Sequence, residues 1–316
     1  MPFRPVIIAA LQSAGLCALG LFPIPIISQI ALLFSPVPLI LVHLREGRRA
    51  AVLAIILASL LMAALGGWHV ALLVFFLSLG TMALAIAESM ARGHRPEQAV
   101  ILGGALPVFL IGSLLALLFL KAGKDPLSAA EAFLRNSLTE AKETYAKIGL
   151  GDVAQALSFV SDSVIHYFVR LIPGIILATS LIQSAACYGM ARSLIIRRTP
   201  GSPLAQATPL ALWQAPDQWV WGLIVTLILV AWGTIDPAQT TAFFVGLNLV
   251  LLYLLVYLAQ GVALVEYLLR KVRVPAVWRG FLHTIILALP SIVAVIALGV
   301  VDIWADFRKV RRSTAS

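Results

Sequence analysis

Apolar runs long enough to cross a lipid bilayer recur along almost the whole chain, and no other feature restricts its fold as strongly. A hydrocarbon core about 30 Å thick requires roughly 17 to 25 apolar residues in a helix. In lipid each peptide N–H must find its acceptor within its own segment, so runs of this length cross as helices. Nine candidates stand out, at residues 5–22, 26–44, 50–66, 68–88, 99–120, 172–195, 218–235, 240–265 and 281–301. The ten-residue alternation of a membrane β-barrel is missing. Composition agrees: 61% of residues are hydrophobic and 12% charged, where a soluble domain has about half and about a quarter. The expected fold is all-α, a polytopic transmembrane helix bundle of eight or nine spans. The first run is expected to be a span and not a signal peptide, because further spans follow at once.

Prolines and charges add detail. Pro23-Ile24-Pro25 predicts a tight turn after the first span, and Pro36 with Pro38 predicts a kinked or partly re-entrant second span. With Arg4 inside, the inner segments collect Arg45, Arg48, Arg49, Arg92, Arg95, Arg192, Arg197, Arg198, Arg270, Lys271, Arg273 and Arg279. The outer turns at 23–25, 67 and 236–239 hold no Lys or Arg. Positive charge resists translocation, so the amino terminus is expected in the cytoplasm, with the chain in a cytoplasmic (inner) membrane. Nine full spans would leave the basic tail around Arg308, Lys309, Arg311 and Arg312 outside. An even span number, or a last run broken at Pro290 that returns as a hairpin, brings it inside.

Residues 121–171 differ in kind, with six Lys or Arg (Lys121, Lys124, Arg135, Lys142, Lys147, Arg170) against six Asp or Glu (Asp125, Glu131, Glu140, Glu143, Asp152, Asp162). Leu127, Ala130, Leu134, Leu138, Ala141 and Tyr145 repeat at three and four, the period of an amphipathic helix. Val153, Ala156, Leu157, Val160, Val164 and Phe168 form a second such stripe. The segment is expected to be an extracytoplasmic amphipathic helical insertion lying on the membrane, or a plain helical linker. It divides a five-span region, 1–120, from a C-terminal membrane region, 172–316. Thr199 to Asp217, rich in Pro, Ser and Gln, reads as an irregular cytoplasmic linker.

Signatures of a zinc protease, a serine hydrolase and a phosphate-binding loop are missing, so no enzyme is expected. The five histidines (His43, His69, His94, His166, His283) are dispersed, and Cys17 and Cys187 both lie in apolar runs. No metal site, cofactor or disulfide is expected from them. The net charge of +9 follows from the inner loops and tail, and no nucleic-acid partner is expected. Polar residues within spans are more telling, because lipid penalises them. They are Gln12, Gln29, Gln183, Asn248, Gln260, Glu266 and His283, whereas Glu88, Asp302 and Asp306 are expected to reach the interface. On the eighth span Gly246, Tyr253, Tyr257, Gln260 and Tyr267 share one face. Tyr253, Tyr257, Gln260 and the nearby Asn248 are the candidate ligand-binding residues; the competing reading is a helix–helix seam in which Gln260 bonds a neighbouring backbone. Glu266 and Arg270 stand at i, i+4 and can pair. Ala10, Ala14 and Ala18 make a smooth groove on the first span, and Ala50, Ala54 and Ala58 another on the third, for close helix packing or docking of a partner.

Pro216-Asp217-Gln218-Trp219-Val220-Trp221, Gly246-Leu247-Asn248, Ala259-Gln260-Gly261 and Gly299-Val300-Val301-Asp302-Ile303-Trp304-Ala305-Asp306-Phe307-Arg308 resemble the YybS-like family of predicted bacterial membrane proteins. That family is distantly similar to the substrate-binding membrane subunits of energy-coupling factor vitamin transporters. The resemblance implies six helices and an Ala-x-x-x-Ala docking face for a transmembrane coupling subunit, which would fall on Ala10 and Ala14 and extend to Ala18. The chain departs from it by its additional spans and the 121–171 insertion. Two roles are expected: a small-molecule transporter or its substrate-binding subunit, or a membrane scaffold or regulatory partner in envelope assembly without a ligand of its own. The partners are then the lipid bilayer and either a coupling subunit or envelope proteins.

Overall fold

Helices account for the regular structure, and no strand occurs among the described residues. The structure is a computed structural model that describes residues 3–22, 24, 26–66, 74–199, 201–202, 204, 209–286 and 291–308. Expectations resting on Pro23, Pro25, the turn at 67, His69, Pro290 and the tail from Lys309 to Arg312 lie outside the described residues. Six helices are long and apolar enough to cross a membrane by length and composition: Phe3–Gly20, Ile27–Glu46, Arg48–Leu65, Pro96–Lys121, Asp162–Arg198 and Thr240–Lys271. Shorter apolar helices cover Phe76–Ala91, Trp219–Ile235 and Ser291–Ala305. The protein is thus an all-α membrane helix bundle.

The chain divides into two compact units, one of Met1–Ile172 with Thr179–Ala207, the other of Pro173–Ala178 with Thr208–Ser316. In the first unit α1 (Phe3–Gly20) packs against α2 (Ile27–Phe34), α3 (Val37–Glu46) and α4 (Arg48–Gly66). Alanines make these approaches possible: Ala10, Ala14, Ala50, Ala54 and Ala58 are all buried, and small side chains let helix backbones come close. A π-helical turn, Phe76–Gly80, leads into α5 (Thr81–Ala91). The next helix, α6 (Pro96–Lys121), starts with Pro96 in the first turn and Gln98 receiving the Arg95 N–H at 3.2 Å.

The amphipathic segment forms α7 (Pro126–Lys147) and α8 (Gly151–Ser158), neither of which has a buried residue. Asp125 caps α7, accepting the Ser128 N–H at 2.8 Å and its hydroxyl at 2.6 Å. Those two bonds favour the charged carboxylate and hold its pKa below the usual range. The second surface helix expected through Phe168 is not continuous. Helix α8 stops at Ser158, and Ser161 caps a new helix by accepting the Val164 N–H at 3.4 Å. Residues 162–171 therefore begin α9 (Asp162–Arg198), 37 residues long. Within the first unit α9 bonds α6 through serines, Ser180 to the Gly104 carbonyl at 2.8 Å and Ser184 to the Val100 carbonyl at 2.9 Å.

In the second unit a 3-10 turn, Leu210–Leu212, and an extended stretch lead to α10 (Trp219–Ile235). A tight turn follows, and α10 packs along α11 (Thr240–Lys271). Within the run expected as a span over 281–301, the described residues form α12 (Ala276–Ile286) and α13 (Ser291–Ala305). Helix α13 crosses α11 at a glycine pair. A Cβ on Gly299 would collide with the Tyr257 carbonyl, and one on Gly261 with the Val295 carbonyl. Only hydrogen fits at either position.

Candidate functional site

Two polar centres are built inside the apolar bundle, one in each unit. The first lies where the second span is interrupted. Pro36 and Pro38 have no N–H to give to carbonyls one turn earlier, and the helix breaks between Phe34 and Val37. Four side chains take over. The Ser35 hydroxyl donates to the Leu32 carbonyl at 2.9 Å, and Gln183 Nε2 donates to the same carbonyl at 3.1 Å and to that of Leu33 at 3.4 Å. Cys187 Sγ reaches the Leu33 carbonyl at 3.2 Å, and the Ser13 hydroxyl reaches the Ser35 carbonyl at 2.7 Å. Ser13, Ser35, Ser184 and Cys187 are all fully shielded. The result is a polar knot at the middle of a 20-residue span, assembled from α1, the break itself and α9. Of its members, Gln183 was marked by its polarity in an apolar run; Ser13 was missed, although it sits within the small-residue groove of α1. Gln12 and Gln29 are exposed.

The second centre is on α11. Asn248 accepts the Gly174 N–H at 2.6 Å and donates to the Phe244 carbonyl at 2.7 Å. Gly174 follows Pro173, the proline inside α9. Tyr253 lies against Gly222 of α10. Tyr257 is buried, and its hydroxyl has no hydrogen-bond partner among the described residues. Gln260 is also buried and is used at both ends: Oε1 accepts the Ala215 N–H at 3.2 Å, and Nε2 donates to Asp302 Oδ2 at 3.2 Å. Ala10 and Ala14 are buried within the first unit and Ala18 half-buried.

Asp302 was expected at the interface; it is instead completely buried. The reason is Arg308. Asp306, at φ 42°, turns the chain just after α13, a left-handed conformation that Asp tolerates better than most residues. Phe307 N–H then bonds Asp302 Oδ1 at 3.2 Å, and Arg308 Nη2 comes back to Asp302 Oδ2 at 2.6 Å. Arg308 Nη1 donates to the carbonyls of Ala211 at 3.0 Å and Trp213 at 2.7 Å. The residues after α13 and the stretch before α10 therefore meet within the second unit. The sequence signal was an Asp six residues before an Arg across a helix end.

Two further carboxylates organise basic groups. Glu266, nearly buried, pairs with Arg270 at 2.6 Å as its spacing implied, and also with Arg279 at 3.2 Å. Glu131 on α7 meets Arg170 and His166 of α9, each at 3.0 Å, which fastens the surface helix to the start of the long one. Glu88 bridges Arg92 at 2.7 Å and His43 at 3.4 Å. No group of three or more potential metal ligands occurs among the described residues.

A family model described as Predicted membrane protein (DUF2232) matches residues 12–303. No curated protein matches the chain. No solved structure matches it either.

Proposed function

The chain belongs to the DUF2232 family of predicted membrane proteins, and from that premise we propose that it is a transport component, a small-molecule transporter or the substrate-binding membrane subunit of one. The interrupted second span carries the reading. Irregular backbone at membrane depth is costly in lipid and is kept where it is buried in protein or lines a path. Broken helices with exposed carbonyls are the usual material of transporter binding sites. Here the break is held by Gln183, Cys187 and Ser13. The resemblance to energy-coupling factor substrate-binding subunits points the same way, toward a vitamin-sized ligand and a cytoplasmic membrane. The basic loops support an amino terminus inside.

The test is a thermal-shift screen of purified protein against vitamins and small amphipathic metabolites. A stabilising ligand whose effect is lost in Gln183→Leu supports the reading. A screen with no hit across those classes overturns it.

A second reading, a scaffold or regulatory partner in envelope assembly, draws on a separate observation. The amides of Asn248 and Gln260 are engaged by the chain itself, and Ala10 and Ala14 are buried within their own unit. Crosslinking in membranes that repeatedly recovers the same envelope proteins, and no coupling subunit, would favour it.

A further inference from the structure

We propose that the oxygens around Arg308 form a binding site for a monovalent cation, and that the guanidinium of Arg308 is its tethered, displaceable occupant. The cradle contains Asp302 Oδ2 at 2.6 Å from Nη2, with the carbonyl oxygens of Ala211 and Trp213 at 3.0 and 2.7 Å from Nη1. The donor set is one carboxylate, one carbonyl of the 3-10 turn Leu210–Leu212 and one of the irregular backbone that follows it; carbonyls freed from regular α-helix are what membrane transporters use to hold sodium and protons. The carboxylate is oriented from its other side by the Phe307 N–H on Oδ1 and by Gln260 Nε2 on Oδ2. Both Asp302 and Arg308 have side chains at 0% exposure, so their charges interact with little screening.

The fit of the guanidinium is incomplete in an informative way. Arg308 Nε is buried with no hydrogen-bond partner among the described residues. A guanidinium offers five donors in a fixed fork, and this cradle receives the Nη end alone. The oxygens are thus matched to a compact positive charge rather than to the whole side chain. The occupant is also held by a short tether, since Arg308 lies three residues beyond the end of α13 at Ala305. If the arm swings away, Asp302 is left as a bare carboxylate in an apolar bundle, which is strongly unfavourable without a replacement cation. Withdrawal of Arg308 and entry of a cation are therefore one coupled exchange. This proposal stands apart from the transport reading, because it concerns a cation and not the ligand of the interrupted span.

The experiment uses the full chain, purified, at constant ionic strength maintained with choline chloride, a cation too bulky for the cradle. The thermal midpoints of wild type, Arg308→Ala and Asp302→Asn/Arg308→Ala are measured while sodium, potassium or guanidinium chloride replaces choline in the millimolar range. Arg308→Ala is expected to start below wild type and to regain stability with the logarithm of cation concentration, as ligand linkage requires. The wild type, in which a cation must first displace the tethered guanidinium, should respond only at concentrations well above those that act on Arg308→Ala, and the double variant, which lacks the carboxylate, should stay flat. If Arg308→Ala responds no more than the double variant to all three ions, the proposal is overturned. Should Arg308→Ala fail to fold, Arg308→Gln, which keeps a donor but no charge, replaces it in the same titration.

Discussion

Gln183 donates its side-chain amide to the Leu32 carbonyl at 3.1 Å, which also accepts the Ser35 N–H at 3.3 Å and stands four residues before Pro36, a residue with no N–H to offer it. The two residues lie 151 positions apart in sequence. Because the Ser35 N–H and hydroxyl still serve this carbonyl, losing the amide costs one ordinary hydrogen bond, about 0.5–1.5 kcal/mol. Gln183→Leu should destabilise the protein by that order, read as a fall in the thermal midpoint. Pro36→Ala returns an N–H to the break, so in its background the same substitution should cost less. Additive losses would show that the amide does not act through this carbonyl.

The Asp302–Arg308 pair gives a second prediction. Removing one member of a buried ion pair strands the other charge and costs about 3–5 kcal/mol. Arg308→Ala alone should fall in that range. Asp302→Asn/Arg308→Gln, which removes both charges and keeps donors, should lose less than either single change. Equal losses in chemical unfolding would mean that the charges are not what the fold depends on.

Gly299 and Gly112 make a matched test of backbone packing. Both are helical, but a Cβ on Gly299 meets the Tyr257 carbonyl while one on Gly112 meets nothing within 4 Å. Gly299→Ala should be destabilising by about 1–3 kcal/mol, the usual cost of overpacking. Gly112→Ala should be neutral, or stabilising by up to about 1 kcal/mol from helix propensity. The comparison of midpoints checks both signs at once.

Asp125 gives the pH prediction. Its folded pKa lies below the unfolded value because Ser128 bonds the charged form. The cap therefore contributes fully above the ordinary aspartate pKa of about 3.9 and is lost as pH falls through the lower, folded value. The protection factors of the first turn of α7, exchange rates taken relative to the intrinsic rate at each pH, should fall on acidification through that window. In Asp125→Asn, which still caps but does not titrate, that fall should vanish.

The positions of the spans were legible because lipid leaves so little choice: a run of apolar residues of the right length is a helix or nothing. The break in the second span was legible too, since a proline's missing N–H is written in the sequence. What repairs that break was not, because nothing local connects Gln183 with Leu32. Periodicity misled at 153–168, where the apolar stripe continues across a helix boundary. Ser161 followed by Asp162 marked that boundary, a cap and an acidic first turn. Asp302 was read as interfacial because a charge near a span end usually is; its burial depends on Arg308 folding back, and on carbonyls contributed by Ala211 and Trp213.

The broken second span also bears on how the chain is made. Its halves, 8 and 10 residues long, reach about 12 and 15 Å at 1.5 Å per residue, each short of the membrane's core. The thiol that serves Leu33 lies 154 residues downstream. At synthesis rates of about 5–20 residues per second, that donor emerges roughly ten to thirty seconds after the carbonyl it serves. For this interval the nascent segment must wait at the interface, in contact with water, or be sheltered by the insertion machinery. Completion of α9 is then the event that lets the second span settle, and ribosomes arrested before Cys187 should carry a chain whose residues 32–35 are still open to water-borne reagents.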